Sequence, residues 1–228
     1  MERHFDEELT DLKRDILLMG SLVEMAIFES IEALKEMSPD RASDVIISDR
    51  VIDEFEIKNA KTCVDLLALH QPMAVDLRFI TMAMQINTDL ERMADLAVDI
   101  SQRVLELAGK PLLKPLVDIP KLAVVACEMT RDVINAFLND DAGLARNIIR
   151  RDDAADELRN LVQNELISDY MLKDSASIPR ALPLLLVARH LERICDHATN
   201  IAEDIIYMIE AKMVKHHPDK LVDTRMEN

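Results

Sequence analysis

One seven-residue phrase is written twice in this chain, and that repetition constrains the fold more than any other feature. Asp89-Leu90-Glu91-Arg92-Met93-Ala94-Asp95 stands in the first half and His190-Leu191-Glu192-Arg193-Ile194-Cys195-Asp196 in the second. Each contains Leu-Glu-Arg, an apolar residue and a closing Asp, so each carries Glu-x-x-x-Asp. A shorter acidic phrase precedes each one. Asp49 and Asp53 come before the first, and Asp152 and Asp156 before the second. The four acids of the first half recur in the same order about a hundred residues later, which marks an internal duplication. A chain built from two copies of one unit must fold as two similar bodies, or as one body with approximate twofold symmetry.

Helical periodicity and the placing of proline and glycine say what the unit is. From Phe5 to about Met37, the residues Leu12, Ile16, Met19, Val23, Ala26, Ile27 and Leu34 fall on one side of a helix. Ser38-Pro39 ends it, because a residue before proline leaves the helical region, and Ser38 or Asp40 can cap the next helix. That second helix is expected from Asp40 to His70, with Ala42, Val45, Ile46, Ile52, Phe55, Ala60, Val64 and Leu67 as its apolar positions. Gln71-Pro72 stops it. A third helix runs from Met73 or Asp76 to about Ala108, with Gly109 as its cap.

The stretch from Gly109 to Pro120 holds Pro111, Pro115 and Pro120, and is the one place that breaks helix repeatedly. A fourth helix is expected from about Pro120 to Leu138, a fifth to about Leu172, and a sixth from Ile178 to about Val214, with Pro179 and Pro183 in its first turns. No strand pattern competes. Three glycines, no Trp and 3% aromatic residues suit helices better than sheets. The expected fold is all-α: two pseudo-symmetric antiparallel three-helix bundles, residues 1–110 and 118–215, with a polar tail at 216–228.

On the third helix, with Leu90 marking the buried stripe, Glu91, Asp95 and Asp99 stand about 100°, 140° and 180° away from it. The acids climb from the edge of the core onto the outer face, and the sixth helix repeats this with Glu192 and Asp196, though Asn200 stands where the first half has Asp99. Carboxylates four residues apart repel, at a cost of a few tenths of a kcal/mol per pair. A lysine or arginine at the second position would remove that cost, and here another acid stands instead, four times over. A hard cation would relieve the repulsion, and an all-oxygen donor set suits Mg, Mn, Ca or oxidised Fe better than Cu. A single Glu-x-x-x-Asp is ordinary in a chain with 31% charged residues, as Glu7 to Asp11 and Glu128 to Asp132 illustrate. Recurrence of two pairs in register is what favours cation binding over a merely solvated face. Arg92 and Arg193 beside each Glu could form surface ion pairs, worth at most about 1 kcal/mol.

The excess of acids, net charge -16, argues against nucleic-acid binding and against lying on an anionic membrane. Cys63, Cys127 and Cys195 read as small buried hydrophobes in a reducing compartment. His70 and His197 read as packing or capping residues rather than ligands. The polar start and the lack of a long apolar run give the expectation of a soluble cytoplasmic protein without membrane insertion. No Glu-x-x-His occurs, which disfavours a carboxylate-bridged metal enzyme of the ferritin-like type. A metal-free helical scaffold is the other alternative.

The residues Thr88 to Asp95, Leu69-His70-Gln71-Pro72 with Asp76-Leu77-Arg78, the run Ala188 to Glu203, and the early His4-Phe5-Asp6-Glu7-Glu8-Leu9 resemble the PhoU family of phosphate-signalling regulators. The resemblance covers nearly the whole chain. It implies two three-helix bundles and a role outside catalysis. It implies surface metal clusters, which map onto Asp49, Asp53, Glu91 and Asp95, and onto Asp152, Asp156, Glu192 and Asp196. Iron is the first metal expected, with Zn, Mn or Mg as alternatives, and Asp99 and Glu203 are open as further ligands. The implied role is to repress the phosphate-starvation response and phosphate uptake, as a homodimer linking the ATPase subunit of the high-affinity phosphate ABC transporter to a sensor histidine kinase. Ala94 and Leu96 depart from the Gly and His often found beside the first Asp.

Overall fold

The computed structural model describes residues 2–214, and the expected tail at 216–228 lies outside them. Six long helices follow in order: α1 (Glu2–Glu36), α2 (Pro39–His70), α3 (Ala74–Leu107), α4 (Asp118–Asn139), α5 (Ala142–Glu165) and α6 (Ile178–Glu210). Helices α1 to α3 form one antiparallel bundle and α4 to α6 the other. A single hydrophobic core runs through both.

Local chemistry sets the helix boundaries. The Ser38 hydroxyl accepts a hydrogen bond from the Arg41 amide, and Asp141 does the same for Leu144, so both short turns cap the helix that follows. Gly109, at φ 73, takes the left-handed conformation just past α3, where a side chain would be strained. Pro183 lies inside α6 and has no amide proton for the Pro179 carbonyl; Lys110 Nζ donates to that carbonyl at 3.4 Å instead. The turn that leaves the first bundle thus repairs the ladder of the last helix.

Three boundaries and one face differ from expectation. Helix α5 stops at Glu165 and continues as a π turn over Leu166–Met171, so the chain stays helical over the expected span with one turn widened. Helix α4 begins at Asp118, with Pro120 in its first turn, where no amide is needed. Helix α6 ends at Glu210, four residues before the expected Val214, because Ala211 turns left-handed at φ 55. On α2 the buried residues include Ala42, Val45, Ile52, Cys63 and Leu66, whereas Val64 is exposed. One-residue ambiguity of this kind is inherent in a helix with apolar residues on both faces, and α2 also exposes Ile47, Ile57 and Leu69.

The halves join along two seams. Helix α3 lies against α6, and α1 against α4. Gly20 permits the second contact: a Cβ there would stand 2.9 Å from Ile134 on α4. Phe79 of α3 stacks on Phe137 of α4, also between the halves, with ring centroids 6.0 Å apart. Helices α2 and α5 are left on opposite flanks, each covering one edge of its own bundle. That placement puts the acidic faces of α2 with α3, and of α5 with α6, on the outside.

Candidate metal centres

Each set of four acids comes together between two neighbouring helices. Asp49 and Asp53 project from α2 beside Glu91 and Asp95 of α3, while Asp152 and Asp156 project from α5 beside Glu192 and Asp196 of α6. The exposure repeats as well as the sequence. Glu91 and Glu192 are half-buried at the edge of the core, and Asp95 and Asp196, one turn on, are exposed.

The carboxyl groups act on one another across the helix pair. Burial, and then the charges of Asp53 and Asp95, push Asp49 up from 3.8 to about 6. Burial, then Asp196, Asp156, Asp153 and Glu192, push Asp152 up to about 6 in the second patch. Glu91 and Asp95 are raised chiefly by burial, then by each other's neighbourhood of acids: Asp95 and Asp53 act on Glu91, and Asp53 and Asp99 on Asp95. Glu192 and Asp196 are raised likewise by burial first, then by Asp196 and Asp156 respectively. Crowded, half-dehydrated carboxylates of this kind gain from any nearby cation. Their oxygens are hard donors, so the residues fit the chemistry of a hard metal ion. As the side chains stand, no three His, Cys, Asp or Glu groups among the described residues converge tightly enough to hold one.

The two patches differ in a residue that sequence reading passed over. In the second, Arg159 donates from one nitrogen to Asp156 at 3.2 Å and to Glu192 at 3.0 Å. Arg159 is the duplicate of Glu56, which faces the first patch and raises Glu91. One patch therefore adds an acid where the other adds a guanidinium. Sliding the first half onto the second by the spacing of the acidic pairs reveals the exchange. Arg92 and Arg193, which could have formed surface ion pairs beside each Glu, make none among the described residues.

The histidines tie the halves together. His197 Nδ1 lies 2.8 Å from Asp89 on the facing helix, with both side chains nearly buried. His190 stands 3.8 Å from Asp99, and burial lowers its basicity. Each duplicated phrase thus contributes one partner to the seam between α3 and α6. His70, the last residue of α2, packs on Phe5 and bonds Glu8 of α1 at 2.7 Å, tying the end of α2 to the start of α1. All three cysteines are free; Cys63 and Cys195 lie in the core, while Cys127 is only half-buried.

No helix among the described residues is long and apolar enough to cross a membrane. The profile of the PhoU domain matches twice, at residues 16–104 and 119–205, which are the two bundles. A phosphate-specific transport system accessory protein PhoU homolog of Aquifex aeolicus is 41% identical over 92% of this chain and 95% of its own length. A homolog of the same description from Zymomonas mobilis is 35% identical over 92% of this chain and 88% of its own. Among solved structures, PhoU from Pseudomonas aeruginosa superposes with a TM-score of 0.88 at 32% identity, covering 91% of this chain and 100% of that one. The phosphate transport system regulatory protein PhoU from Streptococcus pneumoniae gives 0.85 at 31% identity, covering 92% and 99%. With two domain matches spanning both bundles and relatives aligned end to end, the chain belongs to the PhoU family of phosphate transport system accessory proteins, a family of regulators rather than enzymes.

Proposed function

We propose that this chain is a cation-loaded adaptor that holds the phosphate-starvation response and phosphate uptake off while phosphate is plentiful. It acts in the cytoplasm, as a homodimer. Its partners are the ATPase subunit of a high-affinity phosphate ABC transporter and a sensor histidine kinase. Family membership supports the regulatory part, and the relatives are described as accessory or regulatory proteins of phosphate transport.

The observation that carries the cation part is the paired crowding of acids. Burial, and then the neighbouring acids, raise the proton affinity of Asp49, Glu91 and Asp95 in the first patch and of Asp152, Glu192 and Asp196 in the second, with Asp53 and Asp156 among the acids that act on them. A metal ion at each patch would take the place of the protons that these carboxylates otherwise attract. Iron is the first expectation, with Mn, Mg or Zn as alternatives. Exposed aspartates a turn from half-buried acids can swing inward by rotamer changes, so ligation needs no movement of the helices. The ion would neutralise an acidic face and hold α2 on α3, and α5 on α6. Regulation then follows from which partner conformation the loaded surface favours, a shift of population rather than a reaction.

The regulatory part is tested in a deletion strain grown in excess phosphate, with a reporter on a starvation promoter. The expected result is a reporter switched on, and switched off again when the gene is restored. A silent reporter in the deletion strain contradicts the reading.

A further inference from the structure

Beside the second acidic patch lies a groove of about 510 Å³ between α5 and α6. Its size falls in the range of small-molecule sites. Leu185 and Ala188 form part of its lining, with Glu192 and Asp196 toward the patch. The rest of the polar lining is cationic or neutral: Arg159, Arg189, Arg193 and Gln163. Arg189 and Arg193 stand one turn apart on α6, so their side chains emerge as neighbours on one face. Arg159 and Gln163 stand one turn apart on α5, on the opposite wall.

Three guanidinium groups around one groove are unusual in a chain of net charge -16. Arg189 and Arg193 are exposed and make no hydrogen bond or ion pair with any described residue. Arg159 is held by Asp156 and Glu192, at the boundary between groove and acidic patch. The duplication supplies the contrast. Where the second half has Arg159 and Arg189, the first has Glu56 and Thr88, and only Arg92 matches Arg193. The cationic groove belongs to one half of the molecule.

We propose that this groove binds a phosphate dianion, free or esterified, through Arg189, Arg193 and Arg159, with Gln163 as a neutral donor. Planar guanidinium forks match the oxygens of a tetrahedral phosphate and give shorter, stronger hydrogen bonds than neutral donors. A cation on Asp152, Asp156, Glu192 and Asp196 would draw Glu192 and Asp156 away from Arg159 and release it to the anion. The groove itself stands without the cation reading; its dependence on metal rests on that reading.

The test is equilibrium dialysis of the full chain against radiolabelled orthophosphate, with Mn²⁺ present and after chelation, and in parallel against phenyl phosphate. Saturable binding of one phosphate per chain is expected, tightened about tenfold by Mn²⁺. The double substitution Arg189→Gln with Arg193→Gln should weaken binding by roughly tenfold or more, with the circular dichroism and metal content unchanged. Arg92→Gln, the matching position of the first half, should leave it unaltered. Tighter phenyl phosphate identifies an esterified ligand, and tighter orthophosphate a free one. Absence of saturable binding in both states overturns the proposal, as does a double variant that binds normally or an equal loss in Arg92→Gln. Binding that is undiminished in metal-free protein, as measured by elemental analysis, sustains the groove and counts against the cation reading alone.

Discussion

The two acidic patches descend from one pattern and have diverged in charge. The first gathers Glu56 and Asp99 around its four acids, and no basic side chain is bonded to those four. The second has Asn200 in place of Asp99 and carries Arg159, bonded to Asp156 and Glu192. A cation entering the first patch meets carboxylates that repel one another and are bonded to no guanidinium. One entering the second must displace a guanidinium from two of its would-be ligands, losing charge-assisted hydrogen bonds as it does so. Duplication preserved the acids and the helix pair while the surroundings made the sites unequal. The lesson is that a repeated motif predicts where two sites lie, and the neighbours decide how strong each one is.

The halves also differ in how the flanking helix is pinned. In the second, Arg146 of α5 pairs with Glu210 at the end of α6 at 2.7 Å, with side chains only 8% and 10% exposed. In the first, Asn59 of α2 donates to Asn87 of α3 at 3.0 Å, and Asn87 donates to the Glu56 carbonyl at 3.0 Å. The corresponding residues of the second half, Val162 and Ala188, are buried and apolar. Removing the first kind of contact should cost most. Arg146→Ala leaves Glu210 buried without its partner and is expected to cost about 3 kcal/mol in urea unfolding. A loss below about 1 kcal/mol would show that water reaches the pair and screens it.

The amide pair gives the next largest effect and a sharper comparison. Asn87→Ala strands the Asn59 amide in the core and should cost roughly 2 kcal/mol. Copying the second half outright, with Asn59→Val and Asn87→Ala together, should recover most of that loss, because both polar groups leave at once. If the double variant is as unstable as the single one, the amide pair stabilises the first half by more than its own satisfaction.

A smaller effect is expected from pH. The unfolded chain returns Asp49 and Asp152 from about 6 to their usual 3.8, and Glu91, Asp95, Glu192 and Asp196 also fall back. The folded protein therefore holds protons more tightly. Stability from these groups is full below about pH 4 and is lost as pH rises through about 6. Metal-free protein should melt at a higher temperature at pH 5.5 than at pH 7.5. Saturating Mn²⁺ should raise the value at pH 7.5 and flatten the difference. A metal-free protein that is more stable at pH 7.5 contradicts the raised proton affinity that burial and neighbouring acids give the patches.

Much of this was legible in the residues. Ser38-Pro39, Gln71-Pro72 and the prolines between Gly109 and Pro120 stop helices for local steric reasons, so the six helices could be read directly. The acidic pairs could be read because they are short, helical in spacing and repeated. What escaped was tertiary. Gly20 looks like a weak point in a helix, and only the approach of Ile134 on α4 explains it. The π turn after Glu165 leaves no periodic signature. On α2 the sequence pattern includes Val64, which is exposed, because apolar residues lie on both sides of that helix. The exchange of Glu56 for Arg159 was visible in the sequence all along, once the halves are superposed beyond the acids themselves.

The inequality of the two patches is tested most directly by counting metal on untagged protein. Elemental analysis would compare Glu91→Ala with Asp95→Ala against Glu192→Ala with Asp196→Ala, at limiting metal and at saturation. At limiting metal, the first double variant should lose most of the bound ion and the second little, because the patch without an arginine fills first. At saturation each should lose its own share, with both proteins fully helical. Arg159→Glu should bring the second patch up to the first and even out the two losses. Equal losses at limiting metal would contradict the inequality, and unchanged metal in both double variants would show that the repeated acids are only a charged face.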